Sequence, residues 1–221
     1  MVSCWAWSRR WGVVMRLVDV HARLLQMGTP VFRTTDAAAC LKIENAHASK
    51  LLERLAMAGH LVHLARSVWG VSGQVDPLAL PSLLTAPLPS YVSLQTALYY
   101  HGMISQMSAV IYAVSLARTR RFNTPLGVVS VHHVDPGFFG GFVPMGKSRI
   151  PMATPEKALI DLLYLGPARS GLFRSLPELE LPTSFKTGRA RDMIRQIRSD
   201  RRRAGVAKRF ESLMALQEER V

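Results

Sequence analysis

The side chains best suited to chemistry are few and scattered. His132 and His133 stand near Asp135 and suggest metal ligands. Adjacent residues of a strand point to opposite faces, so the two rings cannot reach one ion without distortion. No further His/Cys/Asp cluster follows at ligand spacing. Glu156 and Asp161 suggest an acid/base pair, but a separation of five places them on different faces of a helix. Ser93 lies near His101 without the Gly-x-Ser-x-Gly turn of an activated serine. Gly140-Gly141 lacks the Lys-Ser/Thr that completes a phosphate loop. No catalytic constellation emerges. The expectation is a protein that is not an enzyme and needs no metal and no cofactor. Asp161, set among Leu159, Ile160, Leu162 and Leu163, is expected to be buried, as a cap or as the partner of an arginine.

The chemistry that the chain does advertise is charge. Its 221 residues carry 28 Lys+Arg against 15 Asp+Glu, a formal net charge of +13. Arginine far outnumbers lysine. Such a balance favours polyanionic partners, nucleic acid first and an acidic protein or membrane surface second. The excess is uneven: +5 over residues 1–75, +2 over 76–165 and +6 over 166–221. Hydrophobic residues at 48% supply enough apolar material for a real core. Cys4 and Cys40 are too few for a disulfide scaffold and fit a reducing, cytoplasmic setting. No run reaches the roughly 18 apolar residues of a membrane span. Arg9 and Arg10 interrupt what would be the apolar core of a signal peptide. Met15 opens the first well-patterned segment, so residues 1–14 are expected to precede the translation start.

The first elements must position the basic residues. Val14 to Met27 has helical apolar spacing and stops at Gly28-Thr29-Pro30. Val31-Phe32-Arg33 is a short extended piece. Thr34 or Thr35 is expected to cap a short helix to Leu41, with Asp36 in its first turn. Lys42-Ile43-Glu44 forms a turn. Asn45 is expected to cap a longer helix to Ala58, ended by Gly59, with Ala48, Leu51, Leu52 and Leu55 facing in. His60 to Leu64 and Val68 to Val71 read as a hairpin turning at Ala65-Arg66-Ser67. This is the element order of a winged helix-turn-helix, whose longer helix enters the DNA major groove. The DNA-binding candidates are Arg33, Thr35, Lys42, Asn45, His47, Ser49, Lys50, Arg54 and Arg66. Base reading is assigned to Asn45, His47, Lys50 and Arg54; Arg33, Thr35, Lys42 and Arg66 flank the groove. Glu53 also faces out.

Asp76 to Pro89 contains four prolines, so residues 77–89 read as a linker between a domain over 15–76 and another over 90–221. In the second, Leu94 to His101 reads as a helix ended by Gly102. Ser108 to Leu116 and Val128 to Val134 read as strands separated by a turn at Pro125-Leu126-Gly127. Phe138 to Pro144 reads as a strand with a glycine bend, and Ile150 to Ala153 as a short extended piece. Thr154-Pro155-Glu156 opens a buried helix with Thr154 as cap. The basic tail, Gly188 to Arg203 with seven arginines and then Val206 to Gln217, reads as amphipathic helices. Its apolar strip docks on the second domain. The fold class is α+β: a winged helix followed by a mixed α/β domain with basic C-terminal helices.

Four stretches in order resemble the AbiEi family of antitoxins from type IV bacterial toxin–antitoxin systems. They are FRTTDAAACLKIENAHASKLLERLAMAGHLVHLARSVWGV, YVSLQTALYYHGMISQ, PLGVVSVHHVDPGFFGGF and MATPEKALIDLLYL, the last being the most specific. They span roughly residues 31–165. The resemblance implies a transcriptional repressor that binds inverted repeats in its own operon promoter. It also implies a C-terminal antitoxin domain that counters an adjacent nucleotidyltransferase-like toxin of the AbiEii type, directly or indirectly. It maps the family's basic DNA-binding positions onto Lys42, Lys50, Arg54 and Arg66, with Arg33 nearby. Val68 and Trp69 depart from the glycine and tyrosine usual in the family's hairpin tip. The arginine-rich tail matches no motif. Two other readings compete: a stand-alone winged-helix regulator whose C-terminal domain binds a ligand or a protein, and an interaction module in which the winged helix is only a scaffold.

Overall fold

The computed structural model describes residues 16–146, 148–166 and 178–218. Val14, Met15 and the proposed pre-start residues 1–14, with Cys4, lie outside the described residues. The chain is mixed α+β and divides into two compact units at Val75/Asp76.

The first unit runs α1 (Leu17–Leu25), β1 (Val31–Arg33), α2 (Thr34–Leu41), α3 (Asn45–Met57), β2 (Leu61–Ala65) and β3 (Val68–Val71). The expected extended piece at Val31 is a true strand, antiparallel to β3, so the sheet order is β1-β3-β2. Val20, Leu24, Leu41, Leu51, Leu52, Leu55 and Trp69 make its core.

Two helix starts differ from expectation. Strand β1 runs up to Arg33, which pairs with Val68, so Arg33 is already extended and takes the N-cap of α2. Asp36 reaches back to accept from the Arg33 N–H at 2.8 Å. Thr34 and Thr35 therefore lie inside the first turn. Glu44 is the extended residue before α3, so Asn45 is its first helical residue and not its cap. Gly59 ends α3 as expected, at φ +80°, a conformation glycine adopts without penalty.

The second unit begins at Asp76. The proline-rich stretch expected as a linker packs into it: Pro77–Ala79 is a 3₁₀ turn and α4 (Leu80–Thr85) follows, with Leu80 and Pro81 buried. Pro81 sits in the first turn of α4, where its missing N–H costs nothing. The sequence then runs β4 (Ser90–Val92), α5 (Leu94–Tyr100), β5 (Val110–Ser115), β6 (Arg120–Thr124), β7 (Gly127–His133), β8 (Phe142–Met145), β9 (Ile150–Ala153), α6 (Pro155–Leu165), α7 (Thr187–Arg195) and α8 (Asp200–Glu218). The six strands form one mixed sheet in the order β6-β7-β5-β4-β9-β8. Strand β6 has no counterpart in the sequence reading. Its Arg-Arg-Phe-Asn-Thr run is polar at four of five positions, as suits an edge strand exposed on much of its length. The glycine-bend segment also begins later than expected: Pro136–Phe138 is a 3₁₀ turn and only Phe142–Met145 is strand.

The basic tail is helical, as expected, but its break falls earlier than the sequence suggests, between Arg195 and Asp200. The chain turns at 196–199, where Ile197 is buried. The Ser199 hydroxyl then accepts from the Arg202 N–H at 3.4 Å to open α8.

At the centre of this unit is a buried ionic network. Thr154 caps α6 by accepting from the Lys157 N–H, and Pro155 occupies its first position. Asp161 is 0% exposed and pairs with Lys157 one turn earlier at 2.8 Å, not with an arginine. Its other oxygen accepts from Ser93 Oγ at 2.7 Å and Tyr91 Oη at 3.0 Å. Lys157 Nζ also donates to Phe138 O at 2.8 Å and lies 3.3 Å from the centre of the Phe138 ring. The Lys157 stem lies against Gly141 (φ +73°), where a Cβ would come within 3.0 Å of Lys157 Cγ. Burial works against both charges, raising Asp161 and lowering Lys157 relative to their ordinary values; their mutual attraction opposes it.

Removing one member of such a pair leaves a buried charge without its counterpart. Lys157→Met should destabilise the full chain by about 3–5 kcal/mol in urea unfolding. Lys157→Met/Asp161→Asn should be less damaging than Lys157→Met alone, because the charge is gone while the amide oxygen still accepts from Ser93 and Tyr91. A double variant at least as unstable as the sum of the singles would show that the two side chains do not act as a pair.

Candidate nucleic-acid interface

Helix α3 places Ala48, Leu51, Leu52 and Leu55 inward, the stripe the spacing predicts. Ala56 packs against the edge of the same core, Ser49 is half-buried, and the other residues of the helix are exposed. At 100° per residue, His47, Lys50 and Arg54 share one side of the exposed surface, and Asn45 and Ser49 lie on the opposite flank. All are exposed except Ser49, which is half-buried. Thus α3 brings Lys50, Arg54 and His47 together and sets Ser49 apart from them.

The remaining candidates come from three other places. Lys42 is exposed in the turn between α2 and α3 and holds φ +56° at the C-cap of α2. A non-glycine residue there costs roughly 1–2 kcal/mol. Arg33 and Thr35 are exposed at the β1–α2 junction. Arg66 is exposed at the tip of the β2–β3 hairpin, where Ser67 takes φ +60°. The hairpin carries an irregularity between His63 and Ala65. It is tied to α2 twice: the Thr34 N–H donates to Ser67 O at 3.0 Å, and the Trp69 indole N–H donates to Thr34 Oγ1 at 3.0 Å. Trp69 is thus a buried ring whose polar edge is satisfied. His63 stacks against it at 4.5 Å.

Between α3 and the hairpin lies an open concavity lined by Thr34, Ser49, Glu53, Ala56, Met57, His63, Arg66, Ser67 and Trp69. Most of these were not singled out as site residues from sequence. His63 reads from the sequence only as a strand residue, and Trp69 as a residue of the hairpin. Met57, 82% exposed, was hidden by its type, since a methionine near the end of an apolar-striped helix reads as core. Its position on the helical wheel, three residues beyond Arg54 and opposite the leucines, was the available signal.

The basic excess of the C-terminal helices is largely occupied within the fold. Arg191 grips Glu211 with two hydrogen bonds at 2.9 Å, which holds that carboxyl below its usual range. Arg202 donates to Tyr164 Oη at 2.8 Å and lies over that ring. Arg203 donates to Ile197 O, and Arg209 to Leu163 O, each at 2.9 Å. Arg195 pairs with Asp192, and Arg198 lies 3.8 Å from Asp135. These arginines close turns and helix ends before they offer charge to solvent.

The residues that first suggested chemistry are separated. His132 is buried, 3.0 Å from Ser130 Oγ, while His133 is exposed against the Leu116 and Ala117 carbonyls. His101 lies 2.7 Å from Ala153 O. Ser93 is fully buried on Asp161; the left-handed residue of its turn is Leu94, at φ +56°. Glu156 accepts from the Lys186 N–H at 3.0 Å. Among the described residues, no three His, Cys, Asp or Glu side chains gather as a metal would require. Among those residues, too, no helix is long and apolar enough to cross a membrane. No family model matches the chain, and a search of curated proteins finds no match.

Burial lowers the affinity of the His132 ring for a proton. The unfolded chain protonates this imidazole near pH 6.5, and the folded chain only at lower pH. Stability is therefore fully present above about pH 6.5 and is lost as pH falls through it. Denaturant unfolding at pH 7.5 and 5.5 should show a loss on acidification that is smaller in His132→Asn. An equal loss in both proteins would place the acid sensitivity elsewhere.

Proposed function

We propose that the chain is a winged-helix DNA-binding protein that represses its own promoter and serves as the antitoxin of a type IV system. The observation that carries the DNA-binding half is the exposed surface of α3. Lys50, Arg54 and His47 stand together on it, with Lys42 at its N-terminal approach and Arg66 on the following hairpin. The element order α1-β1-α2-α3-β2-β3 and the sheet order β1-β3-β2 support a winged helix-turn-helix, with α3 as the element that enters the major groove. Lys50 and Arg54 suit phosphate or guanine edges, and Asn45 suits adenine. The seven basic against four acidic residues over 16–75 supply the sequence-independent part of the attraction. Two copies on an inverted repeat are the expected arrangement.

The antitoxin half rests on the resemblance to the AbiEi family over residues 90–165, above all on Met152 to Leu165. Its partner is a nucleotidyltransferase-like toxin encoded alongside. The reading places the protein in the cytoplasm, where the promoter and the toxin are.

A gel shift on the few hundred base pairs upstream of the chain's own gene, with competitor DNA at two salt concentrations, tests the first half. A specific shift is expected. Lys50→Ala and Arg54→Ala should each weaken it. Where the lost contact is to phosphate, the slope of log affinity on log salt should fall by about one. Affinity unchanged in both variants would leave the first unit as a scaffold. Co-expression with the neighbouring gene tests the second half: growth inhibition by that gene, relieved by this chain, is expected. No relief would leave a regulator without an antitoxin role.

A further inference from the structure

The part of α3 that points most directly away from its leucine stripe is not the basic side. It is the line Ala46, Lys50, Glu53 and Met57, spaced four, three and four residues apart and exposed throughout. Glu53 is the one carboxylate on the helix. Lys50 and Arg54 flank it in sequence, yet among the described residues Glu53 enters no ion pair. Its contact is the Ser49 hydroxyl, which donates to Oε1 at 3.3 Å and turns the carboxylate toward the concavity beside the hairpin. Next to it Met57 is 82% exposed.

A carboxylate in the middle of a DNA-facing surface is repelled by every phosphate it approaches. It is accommodated where the major groove offers a donor, and the amino group at N4 of cytosine is the donor that glutamate accepts from. Lys50 and Glu53 are separated by about 4.5 Å along the helix axis. The base step along each strand is about 3.4 Å. The two side chains can therefore address neighbouring steps, the lysine a guanine and the glutamate a cytosine.

We propose that Glu53 is a specificity-determining residue that accepts a hydrogen bond from cytosine N4 in the major groove, while Arg54 and His47 beside it hold phosphate. This rests on the DNA-binding reading above and adds the base that is read. It also assigns a negatively charged residue to discrimination rather than to affinity.

The full chain is used to select duplexes from a pool randomised over 20 base pairs. Wild type, Glu53→Ala and Glu53→Gln are then titrated on the selected duplex and on its single-base variants at two salt concentrations. Wild type should enrich a motif with a preferred cytosine, favoured roughly tenfold or more over other bases at that position. Glu53→Ala should reduce that preference to less than about twofold while binding unrelated duplex at least as tightly, with an unchanged salt slope, because no counterion-releasing contact is lost. Glu53→Gln should move the preference toward adenine, whose N6 and N7 suit an amide. Base preferences identical in all three proteins would overturn the assignment of Glu53 and leave DNA binding intact. A wild-type chain that enriches no motif would overturn the DNA-binding reading and this inference together. Glu53 is exposed, and matching circular dichroism spectra confirm that the variants fold.

Discussion

The carboxylate of Asp161 is the point on which the second unit depends. In water it would be hydrated at no cost; at 0% exposure every lone pair must be answered by protein. The answers come from separate parts of the fold. Tyr91 and Ser93 come from β4 and its exit, and Lys157 from α6. Lys157 passes the constraint on to the Phe138 carbonyl and ring, Phe138 stacks on Tyr164 at 4.3 Å, and Arg202 of α8 lies over Tyr164. A chain of charge and ring contacts thus runs from the central strand to the C-terminal helix. Each link is useful only if the previous one is in place, so the network selects one packing of these elements. It does so at an electrostatic cost, since burial opposes both of the charges it brings together.

The Thr154-Pro155-Glu156-Lys157-Ala158 run has its physical explanation here. Threonine caps the helix and proline starts it. Glutamate receives the Lys186 N–H ahead of α7, and lysine neutralises Asp161. This run is therefore part of the structural core of the second unit. In the first unit the equivalent fastening is neutral: Thr34 accepts from the Trp69 indole and thereby joins the start of α2 to the hairpin.

The charge of the two ends is put to different uses. Around α3, the exposed basic side chains are held on a rigid helix and a short hairpin while the apolar stripe is fully engaged inside. On α7 and α8, arginines of the same chemical type bind Glu211, Tyr164, Ile197 O and Leu163 O. A guanidinium has five donors, so it serves equally well as a bridge within a fold or as a grip on a polyanion. Net charge alone does not separate these roles.

The sequence by itself determined what depends on neighbours along the chain. Apolar spacing marked the inward stripe of α3, glycine at 59 marked its end, and Thr154-Pro155 marked the start of α6. These are legible because the atoms that decide them lie within a turn or two. It also marked Asp161 as buried, since a lone acid among leucines has no other place on that helix. Tertiary structure decided the rest. That Arg33 and not a threonine caps α2 follows from the pairing of β1 with β3. That residues 77–85 pack as part of the second unit follows from the burial of Leu80, Pro81 and Thr85. That β6 is a strand follows from β7 offering it an edge. In each case the deciding partner is remote in sequence, and no local pattern encodes the distance at which two remote segments will meet.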